Sequence, residues 1–173
     1  MEFKEKTVKK TYVYKGKILA LRKDDVVLPD NTLAVREMVE HSGGSAVYCE
    51  RDGKILLVKQ FRYPYKKELY EIPAGKLNKG EDPEKTAIRE LEEEGGIRAK
   101  SVIKLFDIYP TPAYTNEIIR IYKAVDFTQT KARLDKDEFL KAEWIDKHAV
   151  KKMIESGQIK DAKTIIAVLS EVK

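Results

Sequence analysis

Gly75-Lys-Leu-Asn-Lys-Gly-Glu81-Asp-Pro-Glu-Lys-Thr-Ala-Ile-Arg89-Glu90-Leu91-Glu92-Glu93-Glu94-Gly-Gly96-Ile97 is the stretch on which the reading of this chain turns. A Gly-ended loop leads into a helix with carboxylates crowded onto one side. Asp82 suits the N-cap, Pro83 the first turn and Gly95-Gly96 the stop. Ala87, Ile88 and Leu91 supply an apolar stripe at helical spacing. Glu90 and Glu94 stand four residues apart, so they share a face one turn apart. Like charges at that spacing repel by a few tenths of a kcal/mol in an isolated helix. A cation between them reverses the sign, and hard oxygen-seeking divalent ions, Mg²⁺ or Mn²⁺, suit such a pair.

Outward from the helix, the segments are mostly strands. Residues 3–14 and 17–28 alternate around Lys15-Gly16 as a β-hairpin. Pro29-Asp30-Asn31 is a turn, and 33–40 another strand. Ser42-Gly43-Gly44 breaks the chain at a plausible seam. Residues 45–50 and 54–61 flank Asp52-Gly53, a strong hairpin signal. A short strand at 68–72 leads into Pro73-Ala74-Gly75. Further strands are expected at 101–109, 117–126 and 139–145. Helices follow from Asp146 to about 155 and over 161–172. The architecture predicted is mixed α/β.

Bulk properties narrow the class. A chain of 173 residues is one domain, or one domain with an extension. Its 42% hydrophobic content is enough for a core, while 36% charged residues is well above the usual level of about a quarter. The net charge of +5 is spread over scattered lysines, with no basic block interleaved with aromatics, so nucleic-acid binding is not expected. The lone Cys49 forbids an internal disulfide and reads as a small buried hydrophobe. Met1-Glu-Phe-Lys lacks an apolar signal core, and no run reaches membrane-span length. A soluble, cytoplasmic protein is expected. His41 and His148 show no metal-ligand spacing.

The stretch 75–97 fits Gly-x5-Glu-x7-Arg-Glu-U-x-Glu-Glu-x-Gly-U, with U aliphatic, at every fixed position. It resembles the Nudix box of the Nudix hydrolases. The resemblance implies an α/β/α sandwich with a mixed sheet (residues 42–173), preceded by an N-terminal antiparallel strand extension (residues 1–41). It implies that Glu90 and Glu94 are the core metal ligands. Glu93 is implied as a further ligand or outer partner, and the Ala74 carbonyl as completing the cluster. Arg89, four residues before Glu93, orients it; Glu81 is more often an outer partner, and Glu92 faces away. When bound, the metal neutralises the diphosphate oxygens and lowers the pKa of a water, which attacks phosphorus with help from a carboxylate base.

A second group of segments is similar to the ADP-ribose pyrophosphatase subfamily. Pro112 lies 16 residues after Gly96, in Tyr109-Pro-Thr-Pro112-Ala-Tyr-Thr-Asn-Glu117. Val58-Lys-Gln-Phe-Arg62-Tyr-Pro, Glu68-Leu-Tyr-Glu71-Ile-Pro-Ala-Gly and Asp161-Ala-Lys-Thr-Ile-Ile extend the likeness along nearly the whole chain. The implied activity is Mg²⁺-dependent hydrolysis of ADP-ribose to AMP and ribose 5-phosphate.

Within that reading Arg62 grips the diphosphate. The acidic run Asp135-Lys-Asp137-Glu138 resembles a mobile loop carrying the base, Glu138 first and Asp137 second. Glu117 contacts substrate or supports the metal cluster. In the subfamily the N-terminal strands commonly build a domain-swapped homodimer and reach the partner's adenosine pocket. Arg22, Arg36 and Glu37 are the polar candidates for that role, and Tyr12 and Tyr14 the aromatic ones. The only tryptophan, Trp144, lies late in the chain, so adenine stacking by an N-terminal tryptophan is not expected.

Two rivals remain open. One is another Nudix specificity, such as a nucleotide sugar or a dinucleotide; Tyr114 also falls where diadenosine-polyphosphate hydrolases place a tyrosine. The other is a non-catalytic ADP-ribose sensor, in which a degenerate box is expected.

Overall fold

The computed structural model, which describes residues 2–172, opens on an antiparallel sheet of β1 (Lys6–Lys15), β2 (Leu19–Val27) and β3 (Leu33–His41). The turn between β2 and β3 places Asn31 at φ 67°, the left-handed region that Asn tolerates. The Asp30 side chain accepts from Thr32 N at 3.0 Å and closes that turn. Register shifts between Thr7 and Lys9 and between Tyr12 and Tyr14 bulge β1, and all ten of its residues are exposed.

Residues 109–118 belong with this sheet. Val39 N donates to Tyr114 O at 2.7 Å, Asn116 N to Val39 O at 3.3 Å and His41 N to Asn116 Oδ1 at 2.9 Å. The first compact unit therefore runs to Gly43 and takes in Tyr109–Ile118. The second holds Gly44–Ile108 and the chain from Ile119 onward.

In that second unit the strands are β4 (Gly44–Tyr48), β5 (Glu50–Arg51), β6 (Lys54–Arg62), β7 (Lys67–Glu71), β8 (Ala74–Lys76), β9 (Ile97–Ile108), β10 (Ile119–Gln129) and β11 (Leu140–Asp146). The helices are α1 (Pro83–Gly95), α2 (Lys147–Glu155) and α3 (Ala162–Glu171). One sheet has the order β8-β4-β10-β9, and its β4–β10 pair is parallel while its other pairs are antiparallel. The other has the order β11-β6-β5, with β7 also paired to β6.

Strand alternation explains the layering. Along β4, Ala46 and Tyr48 pack with Val150, Ala167 and Val168 of α2 and α3. Val47 and the following Cys49 pack with Ala87 and Leu91 of α1. Strand β6 divides likewise: Ile55 and Leu57 join the first cluster and Leu56 the second. In β10, Ile121 joins the first and Tyr122 and Ala124 the second. Period-2 side chains thus serve helices on both faces, which is the α/β/α sandwich. Each fully buried aliphatic contributes about 1.5–3 kcal/mol relative to exposure.

Cys49 is buried and inert, its thiol pushed up to about 12 by burial. Among the described residues no helix is long and apolar enough to cross a membrane. Two strands depart from the sequence expectation. Three residues, Ala74–Lys76, form β8 along β4 where a loop was expected. Strand β9 begins at Ile97, directly after the helix stop, rather than at residue 101.

Candidate active site

Helix α1 is built by the caps its sequence carries. The Asp82 side chain accepts from Glu84 N at 2.9 Å and Lys85 N at 3.2 Å, and Pro83 occupies the first turn. Gly96 ends the helix at φ 62°. The stripe turned inward comprises Thr86, Ala87, Glu90, Leu91 and Glu94. Two carboxylates thus occupy the core-facing side, with Glu94 only 2% exposed. Burial pushes the Glu90 carboxyl up to about 7, although the Arg89 charge opposes it. Burial pushes Glu94 up to about 8 against a backbone hydrogen bond from Ala74, and the neighbouring Glu90 and Glu138 charges add to the rise.

The opposite wall is β8. Ala74 N donates to Glu94 Oε2 at 2.9 Å. Gly75 lies so close to Glu90 that a Cβ there would fall 1.9 Å from Glu90 Oε1, so only glycine permits this approach. Arg89 ties the front of the cluster together. Its Nε and Nη2 donate to Glu81 Oε1 and Oε2 at 2.9 and 3.1 Å, and its Nη1 to Glu93 Oε2 at 2.7 Å. The same Nη1 lies 2.7 Å from Glu90 Oε1. Those hydrogen bonds hold Glu81 at about 2, well below its ordinary 4.5.

A cleft of about 440 Å³ gathers Ala74, Arg89, Glu90, Glu93 and Glu138. Gly75, Lys76, Asn78 and Asp135 complete its lining, and Asp137 is not part of it. Glu138 N donates to Asp135 O at 3.0 Å and Asp135 N to Glu138 Oε2 at 3.3 Å, closing the loop on itself. Glu94 lies buried behind the cleft.

The donor set fits a hard divalent cation. Two buried carboxylates whose ionisation burial disfavours, a third in Glu93 and the Ala74–Gly75 backbone are the kind of oxygens a hard divalent cation would take. Among the described residues no three acidic, histidine or cysteine side chains are gathered so that they could hold a metal ion as they stand. Arg89 instead balances Glu90 and Glu93.

The remaining expected residues lie elsewhere. Arg62 makes a two-pronged pair with Glu71, Nε to Oε1 and Nη2 to Oε2, both at 2.6 Å. In the first unit Arg22, Arg36 and Pro112 line a pocket of about 270 Å³ with Glu37. Arg36 Nε donates to Glu5 Oε2 at 2.9 Å. Arg22 pairs with Glu40, and its Nε lies 2.8 Å from Asp24 Oδ1 at an angle too poor for a hydrogen bond. Glu117 faces His41, with Oε1 3.2 Å from Nδ1.

Sequence reading missed the roles of Lys76, Asn78, Glu71 and Lys163. The first two could have been suspected from their place in the box loop. Glu71 and Lys163 sit 92 residues apart, and only the matching subfamily segments around them hinted at a connection.

The chain belongs to the Nudix family of hydrolases: residues 39–167 match the NUDIX domain. Residues 5–39 match the nucleoside diphosphate sugar hydrolase N-terminal domain. It is 42% identical over 167 residues to an ADP-ribose pyrophosphatase of Bacillus subtilis (strain 168), covering 95% of this chain and 90% of that protein. It is 40% identical over 169 residues to a methanol dehydrogenase activator of Bacillus methanolicus, covering 96% and 91%. A solved structure described as an ADP compounds hydrolase superposes with a TM-score of 0.83 at 18% identity, over 96% of this chain and 91% of that one. That likeness carries the Nudix fold. Hydrolases of this family depend on a divalent cation.

The Glu71 carboxyl generates a test. Burial alone would raise it, but the Arg62 hydrogen bonds and the Lys163 charge outweigh that and hold it at about 2 against an ordinary 4.5. A depressed folded value contributes stability that is fully present above 4.5 and is lost as pH falls toward 2. Glu71→Gln is therefore expected to flatten the fall in stability across that acid window, measured by urea unfolding at a series of pH values. An unchanged acid slope would contradict the ion cluster.

Proposed function

We propose that this chain hydrolyses the diphosphate bond of ADP-ribose, with Mg²⁺, to give AMP and ribose 5-phosphate. The observation that carries the reading is the convergence of Glu90, Glu93, Glu138, Arg89 and the Ala74–Gly75 backbone on one cleft, with Glu94 behind it. The 42% identity to an ADP-ribose pyrophosphatase over nearly the full length supports the substrate.

Glu90, Glu94, Glu93 and the Ala74 carbonyl would hold Mg²⁺, with Mn²⁺ a substitute. When bound, the ion would neutralise diphosphate oxygens and lower the pKa of the attacking water. Arg89 orients Glu93 and Glu90 through its Nη1 contacts. Glu138 is the base that takes the water's proton, and its place in the cleft favours it over Asp137. Arg62 grips the diphosphate, and Arg22, Arg36, Pro112 and Glu117 serve substrate binding from the first unit.

The chain also acts as a homodimer built through residues 1–41, an extension separate in role from the catalytic residues 42–173. Val8, Val13, Tyr14, Leu33 and Val35 are exposed on that sheet, an apolar surface suited to a second copy. Light scattering at twice the chain mass supports this, and the mass of a single chain would overturn it. Nucleic acid and lipid are not partners in this reading, and the setting is the cytoplasm.

The 40% identity to a methanol dehydrogenase activator favours a second reading, in which the same hydrolase serves an alcohol dehydrogenase partner. Methanol dehydrogenase activity with and without this chain separates the two.

The direct test is a Mg²⁺-dependent turnover panel of ADP-ribose, ADP-glucose, flavin adenine dinucleotide and diadenosine polyphosphates. The highest kcat/KM is expected for ADP-ribose, with AMP released. Glu90→Gln and Glu94→Gln should each lower turnover by orders of magnitude with the fold intact. Preference for another compound would remove the substrate assignment, and wild-type turnover in both variants would remove the metal assignment.

A further inference from the structure

The segment Asp161-Ala-Lys-Thr has no place in the chemistry above, yet its side chains are bonded to the strands that carry the site. It forms the first turn of α3. The Asp161 side chain accepts from Thr164 N at 3.0 Å and from Thr164 Oγ1 at 2.5 Å. Thr164 Oγ1 in turn accepts from Ile72 N at 2.8 Å. Lys163 Nζ donates to Glu71 Oε2 at 2.6 Å and to Asp161 Oδ1 at 2.8 Å. One helical turn therefore holds Glu71 by its side chain and the next residue by its backbone. Two residues further on, Ala74 N holds Glu94.

Burial sorts the roles. The side chains of Glu71 and Lys163 are 2% and 9% exposed, whereas that of Arg62 is 40% exposed. Lys163 thus approaches Glu71 from the interior and Arg62 from the open side. Both Arg62 bonds use Nε and Nη2, so neither engages Nη1. Arg62 ends β6 and Glu71 ends β7; Glu71 is paired in register with Val58, so nothing in the strand ladder itself aims the arginine. A flexible arginine gains most in ligand binding when its rotamer is already fixed.

We propose that Lys163 is a positioning residue for substrate: it immobilises Glu71 from within, so that Glu71 presents the Arg62 guanidinium to the diphosphate in a fixed orientation. The inference rests on the reading above that Arg62 grips the diphosphate. It gives the Asp161–Thr164 turn a function beyond capping, since among the described residues Lys163 and Arg62 are the cations bonded to the buried Glu71. Without Lys163, Glu71 is free to change rotamer, and the Arg62 guanidinium bonded to it loses its fixed orientation.

The test is steady-state kinetics with ADP-ribose and Mg²⁺ on Lys163→Met, Lys163→Arg, Arg62→Ala and the Arg62→Ala/Lys163→Met double variant, with folding checked by circular dichroism. Lys163→Met is expected to raise KM about tenfold while kcat stays near wild type, as loss of an outer positioning contact does. Lys163→Arg should recover most of that loss. The double variant should be no worse in kcat/KM than Arg62→Ala, because Lys163 acts through Arg62. Should Lys163→Met fail to fold, Glu71→Gln/Lys163→Met carries the same expectation without leaving either buried charge facing an empty partner.

If Arg62→Ala raises KM but Lys163→Met does not, or if the two losses multiply, the positioning role is overturned and the diphosphate reading stands. If Arg62→Ala is itself silent, the grip assigned to Arg62 falls, and the role of Lys163 falls with it.

Discussion

The structure depends on a constraint that a stability argument alone would not choose: two carboxylates on the core-facing stripe of α1. Ala87 and Leu91 pack against Val47, Cys49 and Leu56, and Glu90 and Glu94 continue the same stripe. Burying ionised carboxylates without full pairing costs several kcal/mol each. The fold answers with Ala74 N on Glu94, Arg89 beside Glu90 and a protonation equilibrium shifted upward for both. In the proposed reading the remaining electrostatic demand is what a divalent cation would supply. The rest of the site follows from that. Gly75 is required because β8 must approach Glu90 closely, and β8 is placed by its pairing with β4.

Two arginines express two ways of handling charge near such a centre. Arg89 is shared among Glu81, Glu90 and Glu93, so its position fixes the geometry of three carboxylates at once. Among the described residues Arg62 hydrogen-bonds to the Glu71 carboxylate, itself anchored by a buried lysine. The first arrangement organises the carboxylate wall of the cleft. The second leaves part of the guanidinium exposed and suits an anionic ligand.

Much of this was legible in the sequence because the information is local. The Asp82-Pro83 start, the Gly96 stop and the four-residue spacing of Glu90 and Glu94 each act within a turn or two. The hairpin at Asp52-Gly53 and the turn at Asn31 are set by residues that accept positive φ. Strand β8 was not legible, because Ala74-Gly75-Lys76 is too short for a period-2 pattern and its partner lies in β4. The early start of β9 was hidden by Gly95-Gly96, which read as a longer break. The Glu71–Lys163 contact joins positions 92 residues apart, and no periodicity encodes such a pair. That Asp135 rather than Asp137 shares the cleft with Glu138 depends on how the loop folds back on itself.

The central claim is that the buried glutamates of α1 are arranged for a cation. It is tested most directly by thermal unfolding of wild type and Glu94→Gln at about pH 9, with and without Mg²⁺. Both Glu90, raised to about 7, and Glu94, raised to about 8, are ionised there. In the absence of the ion Glu94→Gln should melt above wild type, because it removes a buried charge at nearly constant volume. Mg²⁺ should raise the wild-type Tm and leave the variant nearly unmoved. A wild-type Tm indifferent to Mg²⁺, or an equal rise in both proteins, would contradict the account.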